Sequence, residues 1–250
     1  MPKIAFTPLN LIIDIGNNST KLFLFSGEQI ILHTRKRGNP VELIAEWSKA
    51  YNIKKAIVST VINLTAEQKK EIESNGYPIL WFSNETPVPI GIKYSTPHTL
   101  GSDRIAAAVG AASEAPGRNL LVIDAGSAIT IDIVDKEGNF CGGNIAPGID
   151  MRLKALHEFT GRLPLVDKEG ETPEYGHDTE TAIRSGVIKG VCHEINGYIN
   201  EYKEKYGEVF VFLTGGNEKT LISNIKNRIF ADKFLVAKGL NRILTNYDYK

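Results

Sequence analysis

The pattern that most restricts the fold of this chain occurs twice. Leu11-Ile12-Ile13 runs into Asp14-Ile15-Gly16, Lys21 to Phe25 follows, and Ser26-Gly27-Glu28 turns the chain into Gln29 to Leu32. At a separation of 110 residues, Leu120 to Ile123 runs into Asp124-Ala125-Gly126, Thr130 to Val134 follows, and Asp135 to Asn139 turns the chain into Phe140 to Gly143. Short apolar runs broken by turn residues read as strands, so each stretch predicts a three-stranded meander. The copies align without a gap, Asp14 with Asp124, Gly16 with Gly126 and Thr20 with Thr130. Solenoid repeats recur at about 20 to 50 residues, so this period implies duplicated domains.

After the first meander the pattern predicts a helix over Val41 to Tyr51, a strand over Lys55 to Ser59, a helix over Thr65 to Asn75 with Thr65 as N-cap, and a strand over Pro78 to Phe82. That βββαβαβ order resembles the ribonuclease-H-like unit, which is doubled in the superfamily of actin, sugar kinases and heat-shock chaperone ATPases. Gly101 to Ala115 reads as an alanine-rich helix and its entry. The second half predicts helices over Asp150 to Phe159 and Thr179 to Glu204, a strand over Val209 to Leu213 and a strand-to-helix turn at Thr214 to Asn217. A strand over Lys233 to Val236 and a helix over Leu240 to Thr245 complete it. The expected fold is therefore α/β, with one ribonuclease-H-like domain over residues 1–117, a second over 118–250, and a nucleotide cleft between them.

Charge excludes several partner classes. Lys+Arg and Asp+Glu both number 29 in a chain of 250 residues, and no run of one sign suggests a nucleic-acid groove or a polybasic membrane anchor. The two cysteines, Cys141 and Cys192, form no CxxC and are expected to be reduced. Met1 to Asn10 has the pattern of neither a signal peptide nor a spanning helix, so a cytoplasmic location is expected.

An Asp-x-Gly at the end of an apolar strand lets backbone N–H groups approach an oxyanion while the carboxylate reaches toward a cation. One copy is ordinary hairpin chemistry; two copies at matched positions would aim Asp14 and Asp124 at one nucleotide. Gly215-Gly216, between a strand and a helix, is either a close-approach nucleotide turn or a simple connection. P-loop, dinucleotide, nucleophile-elbow and zincin signatures do not occur, and the five histidines show no metal-ligand spacing. Gly101-Ser102-Asp103-Arg104 stands before a helix, where Ser102 or Asp103 could be an N-cap. Equally, a carboxylate and a guanidinium displayed together could accept a proton and hold an anionic substrate.

Four segments in order resemble type III pantothenate kinases: Asp14-Ile15-Gly16-Asn17-Asn18-Ser19-Thr20-Lys21, Gly101-Ser102-Asp103-Arg104, Asp124-Ala125-Gly126-Ser127-Ala128-Ile129-Thr130, and Gly142-Gly143-Asn144-Ile145-Ala146-Pro147-Gly148. Leu163-Pro164, Thr179 to Gly186, Leu213 to Gly216 and Lys238 to Leu240 extend the match over nearly the whole chain. The resemblance implies phosphorylation of pantothenate by ATP with Mg2+, the first step toward coenzyme A. It implies Asp14 to Lys21 as the phosphate-binding turn, Ser127 as a further ATP contact, and Asp124 as ligand of a monovalent cation, K+ or NH4+. Asp103 becomes the proton acceptor, and Tyr94, Gly101, Ser102, Asp103, Arg104 and Thr179 become pantothenate contacts in a homodimer. The family usually carries Thr where this chain has Asn18 and Ser127; serine keeps the hydroxyl, whereas asparagine has a different reach. Competing expectations are another small-molecule kinase on this fold and a non-catalytic accessory regulator.

Overall fold

The computed structural model describes residues 8–16 and 19–247, which fall into two compact units. The first unit comprises the described part of Met1–Pro89 with Ser95–Ser113 and Val236–Lys250; the second comprises Ile90–Tyr94 and Glu114–Leu235.

The first unit opens with the expected meander, β1 (Leu9–Ile15), β2 (Thr20–Ser26) and β3 (Gln29–Lys36). Helix α1 (Pro40–Ala50) starts where the Asn39 side chain accepts the Val41 N–H at 3.0 Å and Pro40 fills the first helical position. It is followed by β4 (Ile53–Thr60), α2 (Ala66–Glu73) and β5 (Ile79–Trp81). Thr65 caps α2 as expected, in a reciprocal box with Gln68 that satisfies two otherwise unpaired N–H groups. The sheet runs β3-β2-β1-β4-β5, antiparallel across the meander and parallel from β1 to β5. Leu43, Ile44 and Trp47 of α1 pack on Leu11, Ile13, Leu22 and Leu24, giving this sheet an apolar face sealed from water.

The second unit repeats that order. It contains the two-residue β6 (Gly91–Ile92), then β7 (Asn119–Ala125), β8 (Ala128–Val134), β9 (Asn139–Pro147), α4 (Ile149–Glu158), α5 (Thr179–Tyr206), β10 (Val209–Thr214), α6 (Glu218–Ile222) and β11 (Phe230–Ala231). Its sheet runs β11-β10-β7-β8-β9-β6. Ile183, Val187, Val191, Ile195 and Ile199 recur every fourth residue along α5 and bury against Leu121, Ile123 and Ile131 of the sheet. Both units thus carry the meander-then-parallel order expected of duplicated ribonuclease-H-like domains.

Three expectations change. The boundary at 117/118 is replaced by a change of unit within α3 (Ser102–Glu114), and the chain beyond Leu235 returns to the first unit. There α7 (Leu235–Asn246) is anchored by Asn241, whose Nδ2 donates to Gly27 O at 2.9 Å and whose Oδ1 accepts from Asn10, and by Lys55 donating to Leu244 O at 2.7 Å. The strand expected at Lys233 to Val236 is instead the start of this helix: the Asp232 carboxylate accepts the Phe234 N–H at 2.9 Å and sends the apolar run into helical spacing. The second sheet's outer strand is the shorter Phe230–Ala231, parallel to β10. Finally, β6 adds a parallel partner to β9 from a segment that showed no strand pattern.

Gly239 permits α7 to lie directly on α3. A Cβ there would collide with Ala106 O and stand 2.8 Å from Ala106 C and 2.9 Å from Gly110 N, all backbone atoms that cannot swing aside. Gly239→Ala is expected to lower stability by about 1 to 3 kcal/mol, the usual range for overpacking. Differential scanning calorimetry would show the melting temperature fall by several degrees, and an unchanged transition would refute this contact.

Candidate active site

Asp14 ends β1 opposite Lys21 of β2, and the Lys21 Nζ donates to Asp14 Oδ2 at 2.8 Å. Such a half-exposed pair is worth little stability, about 0 to 1 kcal/mol, so its consequence is orientation. It presents a lysine cation and a carboxylate side by side at the mouth of the turn. Gly16 N donates to Ser19 O at 3.0 Å, closing that turn, and Arg35 Nε donates to Ser19 Oγ at 2.9 Å. Among the described residues of the turn Ile15 and Thr20 are buried, whereas Asp14, Ser19 and Lys21 are partly exposed. Asn17 and Asn18 lie outside the described residues. Arg35 was not among the expected site residues. A register shift between Leu24 and Phe25 puts it opposite Lys21, where an unbroken count back from the Ser26-Gly27-Glu28 turn would put Thr34, so no local signal marked it.

The second turn is not a superposable copy. Lys21 faces Asp14, but Thr130 faces Asp124, because three residues separate the last pair, Ala125 and Ile129, where four separate Ile15 and Thr20. The gapless alignment therefore fails inside the turn, and Thr130 takes the place of Lys21. Around Asp124 the backbone crowds closely. A Cβ on Gly215, which has φ +100°, would stand 2.5 Å from Asp124 Oδ1 and 2.6 Å from Ala125 C. Only glycine adopts that conformation at no cost and lets β10's exit lie against the carboxylate. The close approach made at Gly215 is to Asp124 and Ala125 of the neighbouring strand.

Neighbouring groups hold this second turn from three sides. Asn217 donates its N–H to Ala125 O at 3.0 Å and its Nδ2 to Gly126 O at 3.3 Å, while its Oδ1 accepts from Lys168 Nζ at 3.0 Å. Lys168 also pairs with Asp150 at 2.9 Å. Gly148 N donates to Ser127 O at 3.1 Å, leaving the exposed Ser127 hydroxyl free to face outward. Asn217, Lys168 and Asp150 carried no recognisable motif, since their link to the turn is made by folding.

Gly101 to Arg104 forms the entry of α3. Ser102 is the first helical residue and Asp103 the second, with Ile105 N donating to Gly101 O, so neither side chain occupies the N-cap position. Asp103 Oδ1 accepts the Arg104 N–H at 2.8 Å, and a Cβ on Gly101 would lie 2.6 Å from that oxygen. Gly101 therefore makes room for the carboxylate to fold over the helix start while staying exposed. Beside it Arg104 is only 6% exposed. Tyr94 follows β6, its ring edge-on to Phe140 at 5.9 Å between centroids. Thr179 opens α5, exposed, just after Asp178 caps the helix through Thr181. The expected residues are thus divided: Asp14 to Lys21 and Gly101 to Arg104 in the first unit, Tyr94, Asp124, Ser127 and Thr179 in the second.

Related sequences match most of the chain. The family described as type III pantothenate kinase matches residues 10–201. A type III pantothenate kinase of Bacteroides fragilis is 50% identical over 240 residues, covering 96% of this chain and 98% of the relative. A solved structure from Campylobacter jejuni, described as a conserved putative Baf family transcriptional activator, aligns with TM-score 0.62 and 24% identity over 94% of this chain and 97% of that one. A putative N-acetylmannosamine kinase from Listeria monocytogenes aligns with TM-score 0.55 and 14% identity over 95% and 99%. At such identities these two structures show the fold alone.

Proposed function

The chain belongs to the type III pantothenate kinase family, and from that premise we infer how its residues divide the work of phosphorylating pantothenate with ATP. The observation that carries this reading is relatedness running through both units, with Asp14, Asp103 and Asp124 each at the end or start of its own element. In the reaction a pantothenate hydroxyl oxygen bonds to the γ-phosphorus and the bond to the β–γ bridging oxygen breaks. ADP leaves and the hydroxyl proton passes to Asp103. Such transfer asks the protein for alignment and charge stabilisation rather than covalent chemistry.

Lys21 and the backbone of the Asp14 turn would cradle phosphate oxygens, with Ser127 as a further contact. Arg104 would hold the α3 entry against polar groups of pantothenate, and Tyr94 and Thr179 would line the same substrate. Among the described residues no three His, Cys, Asp or Glu side chains cluster as a metal site. That fits Mg2+ carried mainly on ATP phosphates and water, near Asp14, where it would neutralise phosphate charge. Asp124, in the cradle that a Cβ on Gly215 would fill, suits a monovalent cation held by one carboxylate and nearby carbonyls.

The working form is a homodimer. Support comes from large apolar side chains exposed on the second unit: Ile145, Met151, Phe159, Leu165 and Tyr175, with Phe159 at 85% and Tyr175 at 82%. The reading places it in the cytoplasm, consistent with the free Cys141 and Cys192; among the described residues no helix is long and apolar enough to cross a membrane.

A coupled assay for ADP release tests the function. Release should depend on pantothenate, and sugars or acetate should not replace it. Equal ADP release without pantothenate, or none with it, would overturn the assignment. The same preparation should sediment as a dimer at micromolar concentration; a monomer turning over at full rate would remove the dimer.

A further inference from the structure

Tyr94 is held by very little regular structure. Strand β6 contributes two residues, paired with Asn139 and Phe140 of β9, and Gly91 N to Gly138 O at 3.0 Å and Lys93 N to Phe140 O at 2.8 Å flank that pairing. Such a short edge strand frays unless something else fixes it.

What fixes it is a hub on the β8–β9 turn. The Asp135 carboxylate accepts from Asn139 N at 2.8 Å, from Asn139 Nδ2 at 2.9 and 3.0 Å, from Lys93 Nζ at 2.8 Å and from the Cys141 thiol at 3.4 Å. The Asn139 amide, once oriented, fills the space over Gly91: a Cβ there would collide with Asn139 Oδ1 and stand 3.1 Å from Asn139 Cγ. Gly91 and Lys93 bracket β6, so the hub grips the strand at both ends. The next residue is Tyr94, whose ring lies against fully buried Phe140 and over Gly142, where a Cβ would be 3.9 Å from Tyr94 Cδ2. Gly142 has φ +122°. Burial pushes the Asp135 carboxyl up, but the bonds from Lys93, Asn139 and Cys141 overcome it and hold the group well below the usual carboxylate range. The hub is therefore ionised throughout the neutral range.

We propose that Asp135 is a positioning residue for pantothenate, acting through Lys93 and Asn139 to set strand β6 and with it the Tyr94 ring. This rests on the reading of Tyr94 as a pantothenate contact. A carboxylate spent only on a hairpin turn would need Asn139; the bond to Lys93 is what ties the turn to the substrate side. Lys93 is 58% exposed, so the pair adds little to global stability. Its loss should appear as misplacement of Tyr94.

The test compares Asp135→Ala, Lys93→Met, Lys93→Arg and Tyr94→Ala in steady-state kinetics with each substrate varied. Misplacing a contacting group costs up to about 10²-fold, so a loosened one is expected to raise KM for pantothenate about tenfold in Asp135→Ala, with KM for ATP within about twofold of wild type. Lys93→Met should follow in the same direction and Lys93→Arg should restore the wild-type value. In a Tyr94→Ala background, Asp135→Ala should add nothing further. Parallel rises in both KM values, or additive effects with Tyr94→Ala, would overturn the positioning role. So would an unchanged pantothenate KM in Asp135→Ala beside a raised one in Tyr94→Ala. If Asp135→Ala fails to fold, Lys93→Met decides on the same criteria. An unchanged KM in Tyr94→Ala would instead overturn the Tyr94 assignment, and this role with it.

Discussion

Asp103→Asn should yield a folded protein that binds ATP yet turns over about 10²- to 10⁴-fold more slowly, the usual cost of removing a general base. The structure makes this substitution unusually clean. Asp103 Oδ1 accepts the Arg104 N–H at 2.8 Å, and an amide oxygen can accept the same bond. Gly101 leaves room for either group, and the side chain is exposed, so no buried charge is lost or stranded. The melting temperature should stay near wild type, because what changes is only the ability to take a proton. Asp14→Asn should differ. It removes the carboxylate that pairs with Lys21 at 2.8 Å, so ATP binding should weaken along with turnover. A well-folded Asp103→Asn enzyme keeping more than about a tenth of the wild-type kcat would sink the assignment, since the smallest expected loss is about a hundredfold.

Replacing potassium with choline, in buffer free of sodium and ammonium, is expected to cut turnover at least about tenfold, and more if the ion supplies as much as one preorganised charge-stabilising group usually does. Opposite Asp14 stands Lys21, a cation built into the chain; opposite Asp124 stands Thr130, because the second turn is one residue shorter. A Cβ on Gly215 would stand 2.5 Å from Asp124 Oδ1, so the backbone beside the carboxylate leaves no room for even a methyl side chain there. A small exchangeable ion fits that place, and choline is too large to enter it. Titrating potassium back should restore activity along a saturable curve. Full activity in the choline buffer would remove the cation from the reading, while leaving the Asp103 prediction intact.

Arg35, Asn217 and Lys168 show why part of the site could not be read in advance. Arg35 touches the first Asp-x-Gly turn, Asn217 the second, and Lys168 reaches the second through Asn217; strand register and loop closure bring them there. Arg35 was out of reach, because a register shift between Leu24 and Phe25 brings it, rather than Thr34, opposite Lys21. So was Lys168, which comes from an irregular segment between α4 and α5 held by long-range bonds such as Arg184 Nε to Asp167 O at 2.8 Å.

Local chemistry was enough for much of the rest. Alternating apolar strands, the Thr65–Gln68 box, Asn39 before Pro40 and the four-residue apolar spacing of α5 depend on residues within a turn or two of each other, so the sequence by itself determined these elements and their doubling. The Asp-x-Gly turns and the Gly101 to Arg104 entry were equally local. Tertiary structure alone decided where α7 belongs, which residues form the outer strand of the second sheet, and that β6 exists. Phe234 to Val236 has the apolar content of a strand, and only the Asp232 cap and the burial of Leu235, Leu240, Ile243 and Leu244 commit it to a helix. A two-residue strand has no period to detect. The helix joins the first unit because Gly239 lets its backbone touch that of Ala106 and Gly110, a contact between residues more than a hundred positions apart that no local pattern encodes.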